Sequence, residues 1–70
     1  MEGIYIAYEF ETETCRLTGR TEYYMAANRK DAVAKVLYSK RLHNGYARVG
    51  PTGRVVCDGR YSYVVVRDKR

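Results

Sequence analysis

The first strand is indicated by the alternation of side chains at the start of the chain. The large apolar residues share one parity and are Ile4, Ile6, Tyr8 and Phe10. The other parity carries most of the polar residues and holds Tyr5, Ala7, Glu9, Glu11 and Glu13. Since successive side chains of a strand point to opposite faces, we expect the first set to be buried and the three glutamates to lie on a solvated face.

A second strand is predicted at residues 21–27, which are rich in residue types that favour β-structure. Residues 18–20 precede it, and the glycine at position 19 gives them the composition of a turn. We therefore expect an antiparallel hairpin with its turn at residues 18–20. Tyr23 and Met25 should lie on one side of the second strand.

One helix is predicted from residue 29 to about residue 42. Asn28 is a favourable N-cap, and the carboxylate of Asp31 suits the positive end of the helix dipole. Gly45 can adopt the left-handed conformation that ends helices. The apolar residues at helical spacing are Ala32, Val33, Val36 and Leu37. We expect the last three of them to be buried together with Ile4 and Ile6.

Three further strands are predicted at residues 46–49, 54–57 and 60–67. A turn at residues 50–53 separates the first two, and the Asp58-Gly59 pair, which favours a type I′ hairpin turn, separates the last two. The order ββαβββ predicts a single α+β domain over residues 1–70. Its mostly antiparallel sheet should have about five strands, with the helix packed on one face.

The positive charge of the chain is unevenly distributed. The net charge is +5, but the first 13 residues hold four acidic residues and no basic one, whereas the remainder holds 13 basic and four acidic residues. This asymmetry favours a polyanion or an acidic protein surface as the partner, and a purely solubilising surface charge is the alternative. The expected partner-binding residues lie on the helix and the last strands and are Arg29, Lys30, Lys35, Lys40, Arg41, Arg48, Arg54 and Arg60.

The sequence offers little for catalysis or for metal binding. Cys15 and Cys57 belong to no C-x-x-C pair, and His43 is the only histidine. We expect two free thiols in a reducing cytosol, with a single bridge between them as the alternative, and a capping or surface role for the histidine. The glycines form no phosphate-binding motif. We therefore expect no enzymatic activity, no metal and no cofactor.

Three tyrosines, Tyr46, Tyr61 and Tyr63, are interleaved with the basic residues of the last strands. They would be able to stack on nucleic-acid bases if their sheet face were open. The alternative is a structural role, because tyrosine favours strands.

Membrane association is not expected. No apolar run approaches the roughly 18 residues that a transmembrane helix needs, and the N-terminal residues lack the basic start of a signal peptide. We expect a soluble protein in the cytoplasm of a bacterial host.

The order of these motifs resembles a family of small phage-borne type I-F anti-CRISPR proteins. The resemblance covers about the first 40 residues and rests on Tyr5-Ile6, a hairpin around Gly19 and Thr21, Ala27-Asn28, Ala32 and a basic helix. It implies binding to the backbone subunits of an RNA-guided surveillance complex, where target DNA would lie, with basic helix residues in contact. Lys35 and Lys40 lie near comparable places, whereas Val33 and Ala34 stand where basic residues are expected.

The function that we expect is therefore a non-enzymatic inhibitor. Through a basic surface it would bind a nucleic-acid-handling complex and block or alter its binding of DNA. One alternative is a small basic module that binds DNA or RNA directly, in the style of the three-stranded-sheet domains of phage integrases. Another is a subunit that adds its edge strand to the sheet of a partner.

Overall fold

Five strands and one helix follow one another in the predicted order ββαβββ, in a computed structural model that describes residues 2–69. The elements are β1 (Gly3–Glu11), β2 (Leu17–Ala26), α1 (Arg29–Asn44), β3 (Arg48–Val49), β4 (Val55–Cys57) and β5 (Tyr61–Arg67). The strands form one sheet in the order β2-β1-β5-β4-β3, and every neighbouring pair is antiparallel. The predicted α+β fold class is confirmed.

The helix has the predicted caps at both ends. The Asn28 side chain accepts a hydrogen bond of 2.9 Å from the backbone N–H of Asp31, whose carboxylate in turn accepts one from the N–H of Ala27. The first bond satisfies a donor that the first helical turn leaves without an intrahelical partner, and the second holds the residue before the cap. At the other end Gly45 has a φ of 82° and donates its N–H to the Arg41 carbonyl. Among residues 2–69, no helix has the length and apolar character needed to cross a membrane.

The turn between β4 and β5 also agrees with the sequence. Asp58 and Gly59 have φ angles of 37° and 78°, the positive values that a type I′ turn requires at both central positions. The Arg60 N–H donates a hydrogen bond of 3.0 Å to the Cys57 carbonyl and closes the turn.

The first hairpin turn lies earlier than predicted. Residues 12–14 form the turn, whereas Gly19 lies inside β2 with a φ of 94°. Tyr8 pairs with Thr21 and Phe10 pairs with Leu17, so β2 has two more residues than β1 over this stretch. The glycine thus allows a bulge in the strand instead of forming the turn.

The helix covers the opposite face of β1 from the one predicted. The residues buried against α1 include Tyr5 and Ala7, whereas Ile4 is 44% exposed and Ile6 is buried on the other face of the sheet. Because Ala7, Ala26 and Ala32 are small, the helix can pack close to the sheet on this side. The rest of this core consists of Val33, Val36, Ala47, Val55, Cys57, Tyr63 and Val65, with Tyr24, Leu37 and Tyr61 partly buried against it.

Candidate binding surface

One face of the sheet is not covered by the helix, and we call it the open sheet face. Five large apolar side chains on it are 38 to 60% exposed and are Ile4, Leu17, Tyr23, Met25 and Val66. The strand register groups Ile4, Tyr23, Met25 and Val66 around Ile6, whereas Leu17 lies further along the face, opposite Phe10. Ile6, at the centre, lies opposite Tyr23 on β2 and opposite Val66 on β5, while Ile4 lies opposite Met25. A contiguous exposed apolar patch is typical of an interaction site.

The open sheet face carries no carboxylate from the strands. Glu9 and Glu11 have the parity of Tyr5, and Glu22 pairs with Ala7, so all three point to the side that the helix covers. Two arginines lie at the margin of the open sheet face. The Arg54 guanidinium lies 5.6 Å from the centre of the Phe10 ring, and Arg48 lies opposite Val56. The surface is therefore apolar at its centre and positively charged at one margin.

Three of the five basic residues predicted on the helix donate hydrogen bonds to backbone carbonyls outside the helix. The Arg29 Nε donates to the Val65 carbonyl at 2.9 Å, and the Arg41 Nε donates to the Ala47 carbonyl at 3.0 Å. The Lys35 Nζ donates to the Met25 carbonyl at 2.7 Å. Charged groups that serve as anchors in this way are only partly available to a partner.

Lys40 does not join Lys35 and Arg41 in a surface patch, because it is only 8% exposed. Its Nζ lies 2.7 Å from the Glu22 carboxylate and 4.3 Å from the centre of the Tyr63 ring. A buried ammonium needs such partners to offset the loss of hydration. The sequence could not indicate this burial, since the residues that surround Lys40 come from β2 and β5.

The remaining basic residues are spread over the molecule. Lys30 is exposed on the first helical turn, and Arg60 lies 5.3 Å from the centre of the Tyr61 ring at the β4–β5 turn. Arg48 and Arg54 lie at the margin of the open sheet face. Of the eight predicted residues, Lys40 alone is buried, and the others lie on the helix, on β3 and in the segments before β4 and β5.

Glu9 lies in a buried polar cluster, contrary to the prediction of a solvated strand face. Its carboxylate accepts hydrogen bonds from the hydroxyls of Tyr63, at 2.6 Å, and of Thr18. Burial, and then the hydrogen bond to Glu9, raise the pKa of Tyr63 above its ordinary value of 10.0. Glu11, by contrast, is exposed and accepts a hydrogen bond from the Thr14 hydroxyl.

A cavity of about 380 Å³ lies beside this cluster, between the sheet and the C-terminal half of the helix, and Arg20, Glu22 and His43 are among its lining residues. Burial raises the pKa of Glu22, but hydrogen bonds from Lys40 and Tyr24 outweigh it, so this pKa lies below 4.5. The His43 Nδ1 is 2.8 Å from the Ser39 carbonyl oxygen. Glu22 and Lys40 therefore form an ion pair at this cavity.

The tyrosines of β5 do not lie on the open sheet face. Tyr63 is buried under the helix and Tyr61 is half-buried against the core, so both have the structural role. Tyr46 is exposed in the connection between α1 and β3. The tyrosines that do point to the open sheet face are Tyr8 and Tyr23.

The two cysteines are free thiols in different surroundings. Cys15 is exposed in the connection between β1 and β2, and Cys57 is buried. Burial raises the pKa of the Cys57 thiol, which disfavours the reactive thiolate. Among residues 2–69, no group of three or more histidines, cysteines, aspartates and glutamates is placed to hold a metal ion.

Comparisons with family models, with curated proteins and with solved structures find no match for this chain. The open sheet face is therefore judged from its own chemistry. The sequence pattern does not reveal this face, because the larger apolar residues of β1 indicate that their own parity forms the core. The available indication was that both parities of β1 and β5 contain apolar residues, which a sheet with two apolar faces requires.

Proposed function

We propose that this chain is a non-enzymatic inhibitor that binds a protein subunit of a nucleic-acid-handling complex and thereby blocks or alters the binding of DNA. The observation that carries the proposal is the exposed apolar patch on the open sheet face. The resemblance to type I-F anti-CRISPR proteins implies that this complex is an RNA-guided surveillance complex in the cytoplasm of a bacterial host. Direct binding of nucleic acid is the alternative.

The chemistry of the open sheet face favours a protein as the direct partner. Its exposed side chains are Leu17, Tyr23 and Met25 on the edge strand β2, with Ile4 and Val66 on the neighbouring strands, and none of these side chains neutralises a phosphate. Aromatic residues and methionine are enriched at the centres of protein interfaces, where charged residues are depleted. A surface made for the backbone of DNA or RNA would instead place its cations at the centre.

The charge distribution supports an acidic docking surface on the partner. Arg48 and Arg54 lie at the margin of the open sheet face, and the chain as a whole carries a net charge of +5. An acidic protein surface beside a groove made for DNA complements an apolar patch with a positive margin. Once docked there, this chain would obstruct the place that the nucleic acid occupies.

The central experiment is affinity capture of partners from a bacterial lysate, with and without nuclease treatment. The proposal expects a protein partner whose capture survives nuclease. Loss of every partner after nuclease would favour direct binding of nucleic acid instead. For such binding, affinity should fall by about 10³ to 10⁵ between 50 and 200 mM salt if 6 to 10 phosphates are contacted.

Two leucines provide a matched pair of variants to locate the interface. Leu17 is 60% exposed on the open sheet face, and Leu42 is 63% exposed on the helix. We expect Leu17→Glu to abolish capture of the partner and Leu42→Glu to leave it unchanged. Both variants should keep the wild-type thermal stability, since exposed substitutions usually change the free energy of unfolding by less than about 0.5 kcal/mol. The reverse result would place the interface on the helix.

The role of charge can be tested in the same assay. Arg54→Glu reverses a charge at the margin of the open sheet face, and Lys30→Glu reverses one on the first helical turn. We expect the first variant to weaken binding more than the second, mainly through a slower association rate. Equal effects of both variants would mean that only the net charge of the chain matters.

A further inference from the structure

The strand β2 forms a long free edge of the sheet. It has ten residues, whereas β3 at the opposite edge has two. A long edge strand presents backbone donors and acceptors that can pair with another strand. In β2 this edge also borders three of the most exposed apolar side chains, which are Leu17, Tyr23 and Met25.

The direction of the backbone groups of β2 follows from the hydrogen bonds of β1. The Glu11 N–H donates to the Arg16 carbonyl, whereas the Ile4 carbonyl accepts from the N–H of Asp68 on the opposite side. Odd residues of β1 therefore bond to β2, and even residues bond to β5. Tyr8 lies opposite Thr21 and Ile6 opposite Tyr23, so the backbone groups of these two β2 residues point towards the free edge.

Met25 has the same orientation, but its carbonyl is already occupied. Lys35 on the helix reaches over the edge and donates to this carbonyl at 2.7 Å. The part of the edge that is open to a new strand therefore ends before Met25 and centres on Thr21 and Tyr23.

We propose that a second copy of this chain pairs with this edge, so that the two β2 strands run antiparallel about a two-fold axis at Thr21. The two sheets would then form one sheet of ten strands. In this register Thr21 lies opposite Thr21 of the second copy, in a pair whose outward backbone groups can exchange both hydrogen bonds.

Charge complementarity on the helix side favours a second copy as the occupant. With Thr21 on the axis, Arg20 of each copy lies opposite Glu22 of the other, in a pair of the closely spaced type. Both side chains face the cavity beside the helix. The arrangement makes two symmetric pairs of opposite charge, which is the self-complementarity that a two-fold interface requires.

The open-face side of the same register is also complementary. The bulge at Gly19 comes opposite Tyr23 of the second copy, and nothing lies within 4 Å of a Cβ placed on Gly19, so the space beside this glycine can receive the tyrosine ring. Leu17 lies opposite Met25, and these two side chains are each 60% exposed in the single chain. Pairing would remove much of this apolar surface from water.

Neighbouring registers of the same kind are less favourable. An axis at Glu22 places two glutamates opposite each other, and like charges directly opposite destabilise a strand pair. An axis at Tyr23 places Thr21 opposite Met25, whose carbonyl Lys35 already holds. The register centred on Thr21 avoids the first problem and places Met25 only at the outer end of the pairing, opposite Leu17.

Analytical ultracentrifugation of the pure protein from micromolar to millimolar concentration tests the proposal. The mass should rise from that of one 8.1 kDa chain towards twice this value as the concentration increases. Arg20→Glu should weaken the association about tenfold, because both charge pairs become repulsive. Arg48→Glu on β3, which makes the same change in net charge at the opposite edge, should leave the association unchanged. A wild-type protein that stays monomeric throughout overturns the proposal and leaves the edge to a strand of another protein.

Disulfide trapping tests the register in a background with Cys15→Ser. Thr21→Cys places two thiols on the axis with Cα atoms about 5.5 Å apart, within the range of a disulfide. Met25→Cys is the matched control on the same face, since its two copies would lie more than about 20 Å apart. Rapid cross-linking of Thr21→Cys alone is the expected result, and equal cross-linking of both variants overturns this register.

Self-association does not depend on the proposed inhibitor function. It is measured on the pure protein, whereas the function is measured by capture of a partner from a lysate. The Arg20→Glu variant should self-associate more weakly and should retain the exposed apolar patch of the open sheet face, so it separates the two results.

Discussion

The Tyr63 hydroxyl donates a hydrogen bond of 2.6 Å to the Glu9 carboxylate beneath the helix, across 54 residues of sequence. The Thr18 hydroxyl donates to the other oxygen of the same carboxylate. This carboxylate therefore connects β5, β1 and β2. A buried ionisable group stabilises a fold only when its hydrogen bonds are made, so the cluster should respond sharply to the loss of one hydroxyl.

The first prediction concerns that hydroxyl. Tyr63→Phe should lower the free energy of unfolding by about 1–3 kcal/mol, because it leaves the Glu9 carboxylate with an unsatisfied oxygen. Urea denaturation followed by circular dichroism measures this. Tyr61→Phe is the matched control on the same strand and should cost less than about 0.5 kcal/mol. Equal losses in the two variants would contradict the importance of the bond to Glu9.

The second prediction concerns alkaline pH. Burial, and then the hydrogen bond to Glu9, raise the pKa of Tyr63 in the folded protein above its ordinary value of 10.0. The unfolded chain therefore releases this proton first, and stability that is fully present below about pH 10 is lost as the pH rises further. The free energy of unfolding, measured against pH, should fall less steeply above pH 10 in Tyr63→Phe than in the wild type.

The third prediction separates the charge of Lys40 from its aliphatic stem. Lys40→Ala removes both, whereas Lys40→Met keeps most of the stem, so Lys40→Ala should be the less stable variant by roughly 2 kcal/mol. In the wild type, bonds from Lys40 and Tyr24 outweigh burial and lower the pKa of Glu22. That contribution to stability is present above the ordinary pKa of about 4.5 and is lost as the pH falls through the folded value. Chemical denaturation at neutral and acid pH should show a smaller acid loss in Lys40→Met.

Local features of the fold could be predicted from the sequence, because the residues that determine them are adjacent in the chain. The Asn28 cap, the Gly45 end of the helix and the Asp58-Gly59 turn are of this kind. The bulge at Gly19 could not be distinguished from a turn by sequence alone. A glycine with positive φ suits both, and only the pairing with β1 separates the two.

Tertiary features of the site could not be predicted in the same way. The choice between the two faces of β1 depends on Ala26 and Ala32, which lie elsewhere in the sequence and allow the helix to pack against Ala7. The burial of Glu9 and Lys40 depends on hydroxyl and carboxylate partners from other strands. The number of basic residues predicts a positive protein, but the fold decides which of them serve as anchors.

The fourth prediction tests the cap of the helix. Asn28→Ala removes the acceptor for the Asp31 N–H and should lower the free energy of unfolding by about 1 kcal/mol. Asn28→Asp keeps an acceptor at the N-terminus of the helix and should cost less. Thermal denaturation of the two variants decides the matter, and an unchanged midpoint in Asn28→Ala would argue against the cap.

The last prediction tests which face of the sheet forms the core. Val65 and Val66 are neighbours on β5, but Val65 is 0% exposed beneath the helix and Val66 is 38% exposed on the open sheet face. Truncating a buried valine leaves a cavity in a packed core, so Val65→Ala should cost about 2 kcal/mol, whereas Val66→Ala should cost less than about 0.5 kcal/mol. Because the two variants remove the same atoms from adjacent positions, differences in the unfolded chain largely cancel. Urea denaturation measures both values. A larger loss in Val66→Ala would mean that the open sheet face is covered in the isolated protein, and the proposed binding surface would then have no free patch to offer.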